Sequence, residues 1–580
     1  MSFLGVEASL TGRCWVGPDA ATERAAEALT QRASLQPAVA QVLARQGVAP
    51  DEVELFMAPA LRDLLPDPRS LRDMEKAAAR FLAAVEAQSP IAIFADYDVD
   101  GGASAALLIT WMRHFGLTPT LYIPDRIDEG YGPNEASMTA LARDHDLIIC
   151  VDCGTLSHDA LAAARAAEVL VLDHHLGGET LPPAYAVVNP NRQDESGQLS
   201  HLCAAGVVFL FLVEVRRQLR EANSTGPDLL ALLDLVALAT VADVAPLKGV
   251  NRAFVRQGLT VMGRRARAGL VALADVARLD RAPAAYHLGY VLGPRINAGG
   301  RVGAADLGAR LLATENPSEA EALAIRLDAL NAERREIEAS VRAAALAQAE
   351  ERGYDRALVW AAGADWHPGV VGIVASRLKE ASGKPSIVIG LDDGIGKGSG
   401  RSVAGIDLGQ PIQRLAHEGK LLKGGGHKMA AGLTVAEDQL VEAMAALEQL
   451  LEKQGAHHLG AADLRLDGML MPGAATHELI TALEAAGPFG AGAPAPRFAF
   501  ARMRLGNVRR IGENHLRFSF DDQTAPAIDG ICFGAFDSAI GPALNAHGGA
   551  RFHLAGRLEI NSWQGRQRVQ LQLEDVASAD

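Results

Sequence analysis

The 580-residue chain has few cysteines, few aromatic residues and no long apolar run. Its five cysteines are an odd number and lie far apart, which excludes a disulfide framework and favours a reducing compartment. Apolar runs such as residues 203–213 are too short to cross a bilayer, and the amino terminus has no basic segment followed by an apolar one. We therefore expect a soluble, cytoplasmic protein with no membrane partner.

Positive charge is also scarce overall, since the formal net charge is −15. The arginines that are present are clustered, with ten Arg against three Asp between residues 251 and 310. A second cluster, residues 497–519, carries six Arg against one Glu and is interleaved with Phe498, Phe500 and Phe518. Because a nucleic-acid face needs only a local basic cluster, the acidity of the chain does not exclude such a partner.

The length predicts several domains, and the pattern of apolar runs divides the chain into five parts. Strand and helix patterns alternate in the second and fourth parts, which predicts α/β domains, the first of them with a doubly wound parallel sheet. Short alternating runs near the end predict a small antiparallel barrel. The parts are a helical lead-in (1–70), a large α/β domain (71–315), a connector helix (316–353), a smaller α/β domain (354–455) and a barrel (460–580).

Acidic residues and histidines follow the predicted parallel strands, at the point where each strand ends. The strand 91–95 is followed by Asp96, Asp98 and Asp100, and the strands that end at residues 151 and 172 by Asp152 and by Asp173-His174-His175. The carboxyl ends of parallel strands meet at one sheet edge, so these groups should converge. Neighbouring carboxylates repel one another unless a cation neutralises them, and a hard divalent metal is the obvious candidate.

Four acidic residues leave alternatives open. A solvated acidic turn is the alternative to a metal site for Asp96 and Asp98 alone. We expect Gly101-Gly102 to turn the chain before a helix over residues 103–115, so Asp100 either follows the other two acids or caps that helix. Asp243, inside a long apolar segment, is either a helix cap or the partner of a metal. We interpret Cys150 and Cys153 as packing residues.

Two glycine-rich segments and one long helical pattern mark the second half of the chain. Residues 397–402 and 423–432 combine glycine with cations and hydroxyls, which is typical of loops that cradle phosphate. Asn316 as N-cap and Pro317 at the first helical position predict a connector helix that persists to about residue 352. The phenylalanines of the predicted barrel either stack nucleic-acid bases or fill its core.

Taken in order, six motifs resemble those of the DHH phosphoesterase family. They are Asp96–Gly101, Val151–Gly154, Asp173–His175, Asp243, Gly293–Arg301 and Gly424–Gly432, and the resemblance covers roughly residues 90–435. The chain departs from the family pattern at Ala298-Gly299-Gly300, where Ala-Ala-Gly is expected. We expect the additional glycine to loosen that loop.

The resemblance implies a DHH catalytic domain, a DHHA1-like domain and an OB-like, nucleic-acid-binding barrel. It is closest to the family members that hydrolyse single-stranded DNA from the 5′ end to 5′-mononucleotides in DNA repair and recombination. It implies one or two Mn²⁺ or Mg²⁺ ions, held by Asp96, Asp98, Asp152, His174 and Asp243. It further implies that the substrate phosphates are held by His175, Arg295, Asn297, Arg301, Ser399, Arg401 and His427.

The same resemblance predicts a monomer whose partners are single-stranded DNA, a single-strand-binding protein and a helicase. Two other functions share the motifs. One is a DHH phosphoesterase for short oligonucleotides, cyclic dinucleotides or pyrophosphate, and the other is a non-catalytic DNA-binding scaffold. The arginine- and phenylalanine-rich tail favours a long polymer over a small substrate, and the complete set of acids and histidines disfavours the scaffold.

Overall fold

The computed structural model describes residues 2–125, 129–456, 463–563 and 566–579. The predicted start of the last domain, residue 460, lies outside them. The chain divides into two compact units: one comprises Met1–Ala60, Leu459–Phe489 and Ala493–Asp580, and the other Leu61–His458 and Gly490–Gly492. In the described part of the chain, no helix has both the length and the apolar character needed to cross a bilayer.

The helices are numbered in chain order, and a π-helical turn, Leu288–Leu292, joins the thirteenth to the fourteenth. The α-helices are α1 (Ala20–Arg32), α2 (Pro37–Arg45), α3 (Val53–Met57), α4 (Leu61–Leu64), α5 (Met74–Glu86), α6 (Val99–Arg113), α7 (Glu135–Asp144), α8 (His158–Ala163), α9 (Ala204–Glu221), α10 (Leu233–Ala242), α11 (Gly249–Gly263), α12 (Ala268–Val276), α13 (Ala285–His287), α14 (Gly293–Val302), α15 (Leu307–Ala313), α16 (Pro317–Arg352), α17 (Pro368–Ser382), α18 (Gly409–His417), α19 (Leu440–Glu452), α20 (His477–Ala485) and α21 (Ile540–Asn545).

The strands are numbered in the same way. They are β1 (Trp15–Val16), β2 (Ile91–Ala95), β3 (Thr120–Tyr122), β4 (Leu147–Val151), β5 (Glu168–Leu172), β6 (Ala186–Val188), β7 (Val359–Ala364), β8 (Ser386–Asp392), β9 (Ile395–Arg401), β10 (Lys423–His427), β11 (Ala430–Ala436), β12 (Leu464–Arg465), β13 (Gly468–Met469), β14 (Phe498–Ile511), β15 (His515–Asp521), β16 (Ile528–Cys532), β17 (Arg551–Trp563) and β18 (Arg566–Ser578).

The predicted doubly wound parallel sheet is confirmed in the larger unit. Its strands run in the order β3-β2-β4-β5-β6, and every neighbouring pair is parallel. Residues of α7 and α8 pack on one face, with Phe94 and Cys150 between them. Because helices cover the sheet, its central strands are apolar along their whole length. Cys150 and Cys153 are buried and unbridged, so the prediction that they are packing residues is confirmed.

The helix after β2 begins earlier than predicted. Asp98 is the N-cap of α6, which starts at Val99, so Gly101 and Gly102 lie inside the helix and do not turn the chain. The cap Oδ1 accepts hydrogen bonds from the backbone N–H groups of Asp100 and Gly101, at 2.8 and 3.2 Å. Such a cap satisfies N–H groups that the helix itself leaves without partners.

The connector helix is confirmed at both ends. Oδ1 of Asn316 accepts from the N–H groups of Ser318 and Glu319, and Pro317 is the first residue of α16. The helix runs for 36 residues and ends before Gly353, whose φ of +85° suits glycine.

The smaller α/β domain has a five-stranded sheet in the order β10-β11-β9-β8-β7. The two segments predicted as phosphate-cradling loops are mostly strands here: residues 397–401 belong to β9, and residues 423–427 and 430–432 belong to β10 and β11, which a two-residue turn joins. The glycines serve close packing, since a Cβ on Gly398 would lie 2.8 Å from Ile389 Cγ1 and 3.0 Å from Leu433 Cδ1. The prediction of loops was therefore wrong.

The other unit contains the predicted barrel, which is not wholly antiparallel, since β13 pairs with β14 and β16 pairs with β18 in parallel. Its strands run β13-β14-β15-β16-β18-β17, and a further pairing of β14 with β17 closes the sheet. The phenylalanines that sequence reasoning left open, Phe498, Phe500 and Phe518, are all at most 1% exposed. They fill the core and do not form a stacking surface.

The amino-terminal residues belong to the same unit as the barrel, which the sequence pattern did not indicate. The β1 strand pairs in parallel with β12, and the Trp15 side chain is fully buried. Its indole Nε1–H donates to Oδ2 of Asp575 at 2.9 Å. Apolar residues of α1 and α2, such as Leu29 and Leu43, lie in one core with the barrel phenylalanines.

Candidate active site

Acidic and histidine side chains converge at the carboxyl edge of the parallel sheet. They come from the ends of β2, β4 and β5, from the first turn of α6 and from the C-cap of α10. Three overlapping groups have ligand atoms within 4.8 Å of one another. They are Asp152, His174 and His175; Asp100, His174 and Asp243; and Asp96, Asp98 and Asp152. The structure thus brings together all five residues expected as metal ligands, and adds Asp100.

Asp100 reaches a different helix from the one that sequence reasoning considered. Its carboxylate is 1% exposed and accepts hydrogen bonds from the N–H groups of Ala204 and Ala205, at 2.6 and 2.8 Å. These residues open α9, whose own N-cap, Cys203, provides no side-chain cap. Asp100 therefore caps α9, where its charge also interacts favourably with the helix dipole. Its Oδ2 lies 3.6 Å from His174 Nε2.

The ring orientation of His174 is fixed by a backbone carbonyl. Its Nδ1 lies 3.1 Å from the carbonyl oxygen of Leu202, which can only accept, so Nδ1 carries the ring proton. In the neutral ring, Nε2 then presents a lone pair to the carboxylates, 3.3 Å from Oδ1 of Asp152 and 3.8 Å from Oδ2 of Asp243. This is the arrangement in which metal-binding histidines are held.

Asp173 orients both histidines and was not among the predicted site residues. Its Oδ1 accepts from the N–H groups of His174 and His175 and from His175 Nδ1, and its Oδ2 accepts from the N–H of Thr155. Although burial opposes ionisation, these bonds and the neighbouring imidazoles hold the pKa of Asp173 well below its usual range. The Asp-His-His sequence was the available signal, since a carboxylate that starts such a motif can bind the backbone of the next two residues.

The surroundings of His175 favour its protonated form. Burial disfavours the charge, but the hydrogen bond and the charge of Asp173 outweigh this and raise the pKa of His175 to about 9. Its Nε2 lies 3.2 Å from the hydroxyl of Tyr131. A partly exposed imidazolium at this edge can donate to a phosphate oxygen.

The remaining acids fit a divalent cation. Burial, followed by the charges of Asp100 and Asp98, raises the pKa of Asp243 to about 8, and burial with neighbouring carboxylates raises the pKa of Asp152. Oδ1 of Asp152 is buried and accepts no hydrogen bond among the residues that the structure describes. Several carboxylate oxygens and one imidazole nitrogen around such an atom form a donor set suited to Mn²⁺ or Mg²⁺.

The substrate-binding residues predicted from the Gly293–Arg301 motif lie on a helix, not on a loop. Residues 298–300 are inside α14, so the expected loosening of a loop does not arise. Asn297 Oδ1 accepts from the N–H of Val99, at 2.9 Å, which ties α14 to the start of α6. Arg295 donates through Nε to Oδ1 of Asp328 on α16, at 2.8 Å, so its charge is already compensated.

The other predicted phosphate ligands gather around the start of α17. Nη1 of Arg301 donates to the carbonyl of Gly369, at 3.0 Å, and a Cβ on Gly369 would lie 2.3 Å from the Arg301 carbonyl oxygen. A Cβ on Gly372 would lie 3.1 Å from Ser399 Oγ and 3.2 Å from Arg401 Nη2.

His427 lies on the same sheet as Ser399 and Arg401. It pairs with Ala430, which in turn pairs with Arg401 across β11 and β9. A helix N-terminus surrounded by arginines and a hydroxyl is a favourable site for an anion. Asn297 and Arg301 are four residues apart on α14, so their Cα atoms are separated by about 6 Å along the helix axis.

The fold and the site together define the class of protein. A doubly wound domain with a carboxylate–histidine centre, joined by a long helix to a smaller α/β domain, is the architecture of a DHH-type phosphoesterase. Three family models match the chain. The DHH family, N-terminal domain, matches residues 90–240, the DHHA1 domain matches residues 355–453, and the RecJ OB domain matches residues 466–575.

The chain belongs to the RecJ family. It is 37% identical over 565 residues to the single-stranded-DNA-specific exonuclease RecJ of Escherichia coli (strain K12), a match that covers 94% of this chain and 96% of that protein. The crystal structure of RecJ from Thermus thermophilus in complex with Mn²⁺ has a TM-score of 0.81 and 29% identity, and the match covers 97% of this chain and 79% of that one.

The structure of the same Thermus protein with Mg²⁺ has a TM-score of 0.73 and 27% identity over 98% of this chain and 78% of that one. The two metals expected from the sequence are therefore the two bound by this relative.

Proposed function

We propose that this protein is a metal-dependent exonuclease that hydrolyses single-stranded DNA from the 5′ end and releases 5′-mononucleotides. The observation that carries the proposal is the convergence of carboxylates and the His174 ring at one sheet edge, where overlapping groups of ligand atoms lie within 4.8 Å of one another. Several buried carboxylates in one space call for a cation. The proposed specificity for single-stranded DNA is supported by the names of the relatives and by the additional barrel.

When bound, a divalent ion supplies Lewis-acid chemistry, which activates water and neutralises charge on the phosphoryl group. The protein groups that would hold it are Asp96, Asp98, Asp152, His174 and Asp243, with Asp100 beside them. Leu202 and Asp173 position the two imidazoles through the contacts given above. Burial of the carboxylates means that their charge is poorly screened by water, so the attraction to a cation is strong.

Charged donors hold the phosphates in this proposal. The His175 imidazolium donates a hydrogen bond to a non-bridging oxygen of the scissile phosphate, and stabilises the charge that develops there during hydrolysis. Arg301, Ser399, Arg401, His427 and the start of α17 hold a neighbouring phosphate. Arg295 and Asn297 position α14 between the two sites, because Arg295 is paired with Asp328 and Asn297 with Val99.

The barrel supplies the affinity for a long strand. Its exposed arginines include Arg504, Arg509 and Arg510 on β14, and Phe533 is 55% exposed beside His515. Positive charge with exposed aromatic rings is how barrels of this type bind single strands. We further propose a cytoplasmic monomer that acts with a single-strand-binding protein and a helicase.

A nuclease assay with end-labelled substrates tests the function. We expect Mn²⁺ or Mg²⁺ to support release of labelled mononucleotide from 5′-labelled single-stranded DNA from the first turnover. A 3′-labelled strand should be shortened progressively, and duplex DNA and RNA should not be hydrolysed. Addition of EDTA should abolish release, and excess Mn²⁺ should restore it.

The same assay separates the alternatives. Cleavage of dinucleotides, cyclic dinucleotides or pyrophosphate, with no cleavage of long strands, would contradict the proposal and identify a small-substrate phosphoesterase. Binding of single strands without any hydrolysis, in the presence of either metal, would identify a scaffold.

A further inference from the structure

Two tyrosines form an exposed stack that the proposed chemistry does not use. Tyr286, on α13, and Tyr290, on the π-helical turn, are 65% and 73% exposed. Their ring centroids are 5.1 Å apart, with an angle of 22° between the planes. Large aromatic faces that remain in water on an otherwise well-packed chain commonly mark a surface that binds something.

This stack lies beside the carboxylate–histidine centre. A Cβ on Gly289 would be 3.3 Å from Val241 Cγ1, and a Cβ on Gly293 would be 3.3 Å from Ala242 Cβ. The helical segment that carries the tyrosines therefore packs on the end of α10, directly before Asp243. Val244, the residue after Asp243, is itself 69% exposed.

The helical segment continues without a break into the proposed phosphate site. The π-helical turn runs directly into α14, which carries Asn297 and Arg301. Tyr290 and Asn297 are seven residues apart, which is about 10 Å along a helix. Single π-helical turns inside α-helices occur mostly at functional sites.

The surroundings are basic although the chain is acidic. Between residues 278 and 301 there are four arginines and one aspartate, in a chain whose net charge is −15. Arg278 and Arg281, in the segment before α13, are both exposed. A ligand suited to two parallel aromatic faces, nearby guanidinium groups and an adjacent phosphoesterase centre has flat rings and negative charge, as a nucleic acid strand does.

We propose that the Tyr286–Tyr290 stack binds an unpaired base of the substrate strand next to the scissile phosphate, on the α10 side of the centre. The inference rests on the proposed function and adds a physical source of strand selectivity. A base has a face available for stacking on protein only when it has left its neighbours, so the stack favours single strands over duplex. Because every base has such a face, this contact confers no sequence preference.

The test compares a double variant, Tyr286→Ala with Tyr290→Ala, with a matched double variant in which both tyrosines become phenylalanine. Steady-state hydrolysis of a 5′-phosphorylated oligonucleotide gives KM and kcat for each full-length protein. We expect KM of the alanine variant to rise about tenfold, as loss of a stacked base predicts. We expect the phenylalanine variant to match the wild type, because the stacking faces are retained.

An oligonucleotide with abasic sites at its first nucleotides removes the proposed partner of the stack. On this substrate, the wild type and both variants should have the same KM. If KM of the alanine variant rises equally on normal and abasic strands, the proposal is overturned and the tyrosines only support the fold. An unchanged KM of the alanine variant on normal strands would also overturn the proposal.

Two controls complete the experiment. Tyr354→Ala, which removes a tyrosine that is 37% exposed just after α16, should leave KM unchanged. Mn²⁺-dependent hydrolysis of bis(4-nitrophenyl) phosphate, which has no base, should be equal in all variants. If the wild-type protein hydrolyses the base-free ester but no DNA strand, the proposed function fails, whereas the inference alone fails if DNA is degraded and the variants do not differ.

Discussion

At the scale of single residues, Asp152 is the most constrained member of the centre. It follows β4 directly and has a φ of +60°, a conformation that aspartate adopts more readily than most residues. Its carboxylate is buried among other acids, with one oxygen that accepts no hydrogen bond from the described residues. The side chain thus has an unfavourable environment unless a cation is present.

Because of this environment, we expect replacement of Asp152 to raise stability and to lower activity. In Asp152→Asn, we expect DNA hydrolysis to fall more than about 100-fold, because a metal ligand is lost. We expect the unfolding temperature of the metal-free protein to rise, because repulsion among buried carboxylates is relieved. Differential scanning fluorimetry with and without Mn²⁺ measures the unfolding temperatures of the metal-bound and metal-free proteins. The control is Glu315→Gln, which changes an exposed residue. An unchanged stabilisation by Mn²⁺ would show that Asp152 is not a ligand.

Two adjacent glycines of α14 provide a matched pair of substitutions. A Cβ on Gly300 would lie 2.1 Å from Cδ2 and 2.6 Å from Cβ of Tyr97, between Asp96 and Asp98. On Gly299, the nearest atoms would be 3.2 Å away. We expect Gly300→Ala to cost about 1–3 kcal/mol and to impair hydrolysis by displacing Tyr97. Gly299→Ala should be neutral to within about 1 kcal/mol, because alanine also favours the helix.

Thermal unfolding and the rate of nucleotide release measure both effects. If both variants lose stability and activity equally, contact with the Tyr97 ring is not the reason that glycine is needed at residue 300. The comparison also concerns the one departure from the family pattern, which falls at the tolerant position, Gly299.

At the scale of elements, the start of α6 combines a structural and a chemical role. Asp98 caps the helix and belongs to one of the groups that could hold a metal ion. Asparagine caps helices as well as aspartate does, whereas alanine does not. We therefore expect Asp98→Asn to retain the thermal stability of the metal-free protein and to lose Mn²⁺ affinity. Asp98→Ala should lose both, with about 1 kcal/mol of stability attributable to the cap.

Isothermal titration with Mn²⁺ and thermal unfolding separate these roles. If Asp98→Asn binds Mn²⁺ as the wild type does, Asp98 acts as a cap alone.

Elements were predictable where local patterns agree with the tertiary structure. The strand β2 and the helix α16 begin and end as predicted, and β4 and β5 end where predicted, because apolar runs and a strong N-cap define them. The glycine-rich strands of the smaller domain were missed, since their glycines are required by the side chains of Ile389 and Leu433, which lie on neighbouring strands. Most of the candidate site followed from strand ends that meet at one sheet edge. The contact of Asp100 with α9 did not, because it joins residues about a hundred positions apart.

At the scale of the whole molecule, the composition of the barrel unit changes how the chain should be truncated. The core of this unit contains residues of α1 and α2 as well as barrel residues. Removal of residues 460–580 alone would leave Trp15, Leu29 and Leu43 without their partners. We expect a chain of residues 1–458 to aggregate because this apolar surface is exposed.

A chain of residues 61–458 omits the amino-terminal segment together with the barrel. We expect it to remain monomeric, to be stabilised by Mn²⁺ and to hydrolyse short oligonucleotides, while its affinity for long single strands falls by at least about tenfold. Size-exclusion chromatography and fluorescence anisotropy with labelled strands of increasing length measure these properties. Undiminished affinity for long strands would show that the barrel does not bind the polymer.

The burial of Trp15 against Asp575 also has a consequence for biosynthesis. Residues 1–60 leave the ribosome about 400 residues before the strands on which they pack are made. At synthesis rates of roughly 5–20 residues per second, this delay is about 20–80 s. During that time the apolar residues of α1 and α2 are exposed on the nascent chain without their partners. A chaperone that holds nascent segments should therefore bind residues 1–60 until the barrel strands emerge from the ribosome.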